Sequence, residues 1–141
     1  MTKAEAAKVL AILKAAYPNT FKNLTAEDAG ATVNVWAAQF AKMPVSVVMV
    51  AIHKLISTNV FPPTITEVKE RIRSLYWEAW EMVDQHNRGF LKLDEKTVTA
   101  AKELLKMVEP MRTKERIEPS LGELLGGYAQ YLTDEKKQLR E

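Results

Sequence analysis

Residues 61–83 read FPPTITEVKERIRSLYWEAWEMV, and this stretch decides the fold class. The two prolines stiffen an extended connector, because each ring fixes its own φ and keeps the preceding residue out of helical geometry. Thr64 and Glu67 then stand at capping-box spacing, where each side chain can satisfy a backbone donor that a helix start leaves unpaired. Beyond them Ile65, Val68, Ile72, Leu75, Tyr76, Ala79 and Val83 alternate in steps of three and four. At about 100° per residue such positions stay on one face. The stretch predicts a long helix reaching to about Val83, with Asn87-Arg88-Gly89 as its closing signal.

The same logic works outward in both directions. Thr2 and Glu5 form a second capping-box pair and open a helix carrying Val9, Leu10, Ile12 and Leu13, which stops at Tyr17-Pro18. Thr25 caps another, with Glu27 and Asp28 at its positive dipole end and Ala29, Val33, Trp36, Ala37 and Phe40 as its apolar face. Pro44 suits the first turn of a helix from Val45 to about Ser57. The β-branched run from Val45 to Ile52 makes a buried strand the competing reading there. Its length and the flanking His53-Lys54-Leu55-Ile56 favour helix. Towards the C-terminus, Asp94 caps a helix with Val98, Ala101, Leu104, Leu105 and Val108, stopped by Glu109-Pro110. Residues 110–119 are polar and aperiodic, a linker. Ser120 and Glu123 repeat the capping box, but Gly126-Gly127 weakens the helix they open, and Thr133 to Glu141 reads as a charged tail. The expected fold is all-α: a compact N-terminal bundle, a long central helix and additional C-terminal helices. The expected divisions are residues 1–75, 76–109 and 110–141.

Composition excludes several kinds of function. The chain of 141 residues has no cysteine and a net charge of +2, so disulfide scaffolds, thiolate zinc sites and Cys nucleophiles are out. No run approaches the roughly 18 apolar residues of a membrane helix. Residues 1–10, MTKAEAAKVL, lack the basic start and apolar core of a secretory signal, so a cytoplasmic setting is expected. Residues 1–63 bear Lys3, Lys8, Lys14, Lys22, Lys42 and Lys54 against Glu5, Glu27 and Asp28, yet no dense basic stripe appears. Weak or no direct nucleic-acid binding is the expectation.

Chemistry is sparse. His53 and His86 are the two histidines, in different segments and outside any metal-ligand spacing. Residues 84–95, DQHNRGFLKLDE, partly match a calcium loop, with Asp84, Gly89 and Glu95 in place. His86 and Arg88 hold two positions that need oxygen ligands, and a guanidinium repels a dication. The segment reads as a helix–turn–helix connector. No catalytic residue, metal site or cofactor is expected, and the chain reads as a binding protein.

The tryptophans and the C-terminal end supply candidate contacts. Trp36 lies on an apolar stripe and belongs to a core. By the 3.6-residue period, Trp77 lies roughly 150° from the centre of the long helix's stripe and Trp80 about 90° away on the same side, beside Arg73 and Asp84. Two readings stand: a second buried face covered by the C-terminal helices, or an exposed binding surface, since Trp and Arg dominate hot spots. Leu121, Leu124, Leu125, Tyr128, Tyr131 and Leu132 form a terminal apolar patch that can dock on the body, pair with a second copy or enter a partner's groove. The candidate partner-binding residues are Arg73, Trp77, Trp80, Leu124, Leu125, Tyr128 and Tyr131.

Three segments together, ILKAAYP at 12–18, TVNVW at 32–36 and FPPTI at 61–65 running into Glu67-Val68-Lys69, resemble the phage loader-and-inhibitor proteins of replicative helicases. The resemblance spans about residues 1–75. It implies a helical N-terminal domain and a role in phage DNA replication in a bacterial host: binding a hexameric replicative helicase, holding it inactive and delivering it to an origin-bound initiator, without enzymatic activity. The chain departs from the family in its C-terminal part, which tends to disorder there and here carries strong helix signals over residues 64–132. No family contact residue carries over. A DNA-binding replisome-organiser or accessory module is the alternative.

Overall fold

Side-chain oxygens set where the helices begin. In the computed structural model, which describes residues 1–109 and 117–140 (the backbone alone for Tyr131, Gln138 and Arg140), the elements are α1 (Lys3–Ala16), α2 (Pro18–Phe21), α3 (Ala26–Gln39), α4 (Val45–Ile56), α5 (Ile65–Asn87), α6 (Glu95–Val108) and α7 (Leu121–Arg140). The described residues form helices, turns and connectors, with no strand among them. The fold is all-α. Thr2 and Glu5 cap α1 reciprocally. Thr64 and Glu67 do the same for α5, at 3.2 and 3.1 Å, and Ser120 and Glu123 for α7, at 3.3 and 3.1 Å. Thr25 and Asp94 cap α3 and α6 through the amides of Asp28 and Thr97.

The chain falls into two units: residues 1–42 with 118–141, and residues 43–117. In the first, α1 buries Ala6, Val9, Leu10 and Leu13, and α3 buries Trp36 and Ala37. These side chains, with Thr32 and Val33, line the α1–α3 seam, and the Trp36 and Phe40 rings lie 5.6 Å apart. α2 is a single turn that the sequence pattern did not announce; Pro18 at its first position satisfies the preference for a ring where no amide hydrogen is needed.

In the second unit the valine-rich run is helical. Val47, Val48, Ala51 and Ile52 are buried, and steps of one and four mark a helix face rather than a pleat. Pro44 stands one place earlier than expected, as the N-cap with extended ψ of 135°. α5 buries Val68, Lys69, Ile72, Leu75 and Ala79, and it packs against α4 and α6. Burying each large aliphatic side chain contributes roughly 1.5–3 kcal/mol. α6 turns Ala101 and Val108 inward.

Two expected boundaries move. α5 runs past Val83 to Asn87, because nothing breaks the helix before Gly89, whose φ of 79° makes the left-handed turn. α7 crosses both glycines and continues through the expected tail to Arg140. Its capping box, the Gln130–Asp134 hydrogen bond and packing on α3 offset the weak propensity of Gly126-Gly127, where about 1 kcal/mol per glycine is at stake. A Cβ at Gly127 would lie 4.0 Å from that of Ala38, ordinary contact across the α3–α7 seam. Most of the expected linker, residues 110–116, lies outside the described residues.

Several of these caps are charged. The backbone amide of Thr64 holds the Glu67 carboxyl below its ordinary range, that of Thr2 does so for Glu5, and the Thr97 side chain and amide do so for Asp94. A folded pKa below the unfolded one makes the contribution whole above the ordinary carboxylate value of about 4 and lost as pH falls through the folded value. Thermal unfolding followed by circular dichroism should therefore lose stability below about pH 4, with a shallower acid limb for Glu67→Gln. Thr64→Ala should cost about 1 kcal/mol at neutral pH in urea unfolding. Gly126→Ala, with nothing within 4 Å of the added methyl group, should slow amide exchange in α7, consistent with a gain of about 1 kcal/mol in helix stability.

Candidate partner-binding surfaces

Burial of Val68, Ile72, Leu75 and Ala79 leaves the opposite side of α5 outward. Trp77 is 60% exposed and Trp80 46% exposed. The reading of Trp77 as core is therefore corrected: α4 and α6 pack on α5 without covering this side. The Trp77 and Trp80 rings meet edge to face at 6.4 Å and 72°, and Tyr76 stands against Trp77 at 5.0 Å. Trp80, Glu81, Asp84, Gln85 and Arg88 continue the row along the helix. With Trp77 and Phe90 they enclose a cleft of about 380 Å³. Phe90, just past the Gly89 turn, is 79% exposed.

The polar groups of this cleft are arranged unequally. The Arg88 guanidinium reaches the Asp84 carboxylate at 3.2 Å, and Gln85 Nε2 donates to Glu81 at 3.1 Å. Arg73, expected to flank the tryptophans, is half-buried and ion-paired with Glu70. It does not line the cleft. Phe90 and Glu81 were missed in the sequence: Phe90 sits beyond the periodic stretch, while Glu81, next to Trp80, was legible only from the helical wheel.

α7 carries the second set in the other unit. Leu124 and Tyr128 line a cleft of about 560 Å³ with Ala31, Asn34, Val35 and Ala38 of α3, so this edge of α7 faces the body of its unit. Leu124 is half-buried there. Leu121 (71% exposed), Leu125, Tyr128 and Leu132 are exposed, and their spacing of four, three and four makes a stripe along one face. Leu121 and Leu132 belong to that stripe rather than Leu124. Tyr131 lies in α7, its side chain outside the described residues. Lys3–Asp134 at 3.6 Å and Lys42–Glu123 at 3.5 Å tie α7 to its unit; exposed pairs of this kind contribute about 0–1 kcal/mol. They also engage two of the lysines on which an N-terminal phosphate contact would draw.

The residues considered for catalysis or metal binding do not assemble. Among the described residues no group of three His, Asp or Glu side chains is placed to hold a metal ion. Within the calcium-like loop, Asp84 is engaged by Arg88, and His86 Nδ1 accepts the amide hydrogen of Leu93 at 3.3 Å, so its lone pair serves the turn. Nor is any helix among the described residues long and apolar enough to cross a membrane.

Against this geometry, residues 1–69 match the family model for the N-terminal domain of the phage gene 39 protein. The resemblance to phage helicase loaders and inhibitors thus holds over this segment. Proteins of this family are adaptors, generally without catalysis of their own. No curated protein and no solved structure matches the chain. The matched segment contains α1 to α4 and ends in the first turns of α5. Every candidate contact residue lies beyond it.

Exposure and burial give opposite expectations along the same helix. Trp77→Ala with Trp80→Ala should change unfolding free energy by less than about 1 kcal/mol, whereas Ile72→Ala, fully buried, should cost about 2–5 kcal/mol. Equal losses in urea unfolding would mean that the tryptophans are structural.

Proposed function

We propose that this protein is a phage DNA-replication adaptor that binds a hexameric replicative helicase, restrains its ATPase and unwinding cycle, and assists its loading at an origin-bound initiator in the bacterial cytoplasm. The observation that carries this reading is the match of residues 1–69 to the helicase-loader family. Two exposed apolar surfaces outside the match, the aromatic face of α5 and the α7 stripe, support a role in protein contact. Large exposed aromatic side chains are the usual anchors of an interface, since each buries much area at little entropic cost. In this reading Trp77 and Trp80 supply one contact, and Leu125 and Tyr128 another. Residues 110–141 form the partner-binding end of the chain.

Immobilised protein should retain the purified host replicative helicase and lower its ATPase and unwinding rates. Trp77→Ala combined with Tyr128→Ala should weaken capture by about 30-fold or more, the hot-spot range. Failure of the wild-type protein to retain the helicase would reject the function. Wild-type capture and inhibition by the double variant would instead reject these contact surfaces.

A further inference from the structure

The cleft at the C-terminal end of α5 combines aromatic walls with a carboxylate whose charge is not neutralised. Trp77 and Trp80 stand at a steep angle of 72° to one another, giving two walls rather than one flat stack, and Phe90 lies across the same space. Indole rings attract cations through their negative faces. Of the cleft's two carboxylates, Asp84 is matched by Arg88. Glu81 receives a neutral amide hydrogen from Gln85 and, among the described residues, pairs with no cation. No lysine lines the cleft.

We propose that this cleft is a recognition site for an arginine side chain of the protein's partner, with Trp77, Trp80 and Phe90 holding the guanidinium plane and Glu81 accepting its hydrogen bonds. The assignment of that partner as a helicase rests on the function proposed above; the chemistry of the cleft does not. A purely apolar anchor would strip water from Glu81 and leave an unpaired charge. A nucleic-acid phosphate would meet the same carboxylate, and the guanidinium of Arg88 is already engaged. A cation removes both objections. Arginine fits better than lysine, because its weakly hydrated plane stacks on indole while its fork matches a carboxylate.

The full-length protein labelled with ¹⁵N at the tryptophan indoles, titrated with hexa-arginine, hexa-lysine and hexa-glutamate peptides, tests this directly. Hexa-arginine should shift the Trp77 and Trp80 signals saturably and leave that of Trp36, buried in the other unit, in place. It should bind about threefold or more tighter than hexa-lysine, and Glu81→Gln should weaken it by about fivefold at an unchanged melting temperature. Absence of indole shifts, equal shifts with hexa-glutamate, or undiminished affinity in Glu81→Gln would overturn the proposal. Helicase capture measured on the same samples separates the two ideas. Peptide binding without helicase capture sinks the helicase reading and leaves the cleft, whereas capture without any response to hexa-arginine sinks the cleft alone.

Discussion

A helix that packs on two neighbours has a limited arc to hide, and the 23 residues of α5 make that limit the governing constraint of the 43–117 unit. Val68, Ile72, Leu75 and Ala79 use the buried arc. At 100° per residue, Trp77 is carried outside it whatever its own preference for burial. Exposure of two indoles thus follows from the positions of four aliphatic residues. Substituting the aromatics changes what the surface offers, while substituting the aliphatics removes the support that aims it.

Most of the fold was legible because its signals are local. A Thr or Ser three residues before a Glu states where a helix starts, and the three such pairs considered are all closed reciprocally. The apolar steps of α5 state which face is inward. What escaped depends on contacts between segments. Whether α7 survives its two glycines is decided by packing on α3, and whether Trp77 is covered depends on where α4 and α6 lie around α5. Neither can be computed from a period within one helix.

The candidate surface was legible only in part, for a related reason. Trp77 and Trp80 stand out by residue type and wheel position. Arg73 was grouped with them by the same wheel, yet its pairing with Glu70 and partial burial give it other work. Phe90 joins the tryptophans through the turn at Gly89, a three-dimensional event that a helical wheel cannot register. On α7, nearness in sequence suggested Leu124, whereas the outward stripe runs through Leu121, Leu125, Tyr128 and Leu132.

The division of the chain bears on its biosynthesis. Residues 43–117 form one unit without interruption, while the other joins residues 1–42 to the segment from 118 onward. On a ribosome adding about 5–20 residues per second, the later-starting unit is complete before the earlier one can close. α1 and α3 must wait, the seam face of α3 uncovered, until α7 has emerged. A stalled or clipped chain that lacks α7 would keep the whole aromatic cleft of α5 and lose part of the unit that contains most of the family-matched segment.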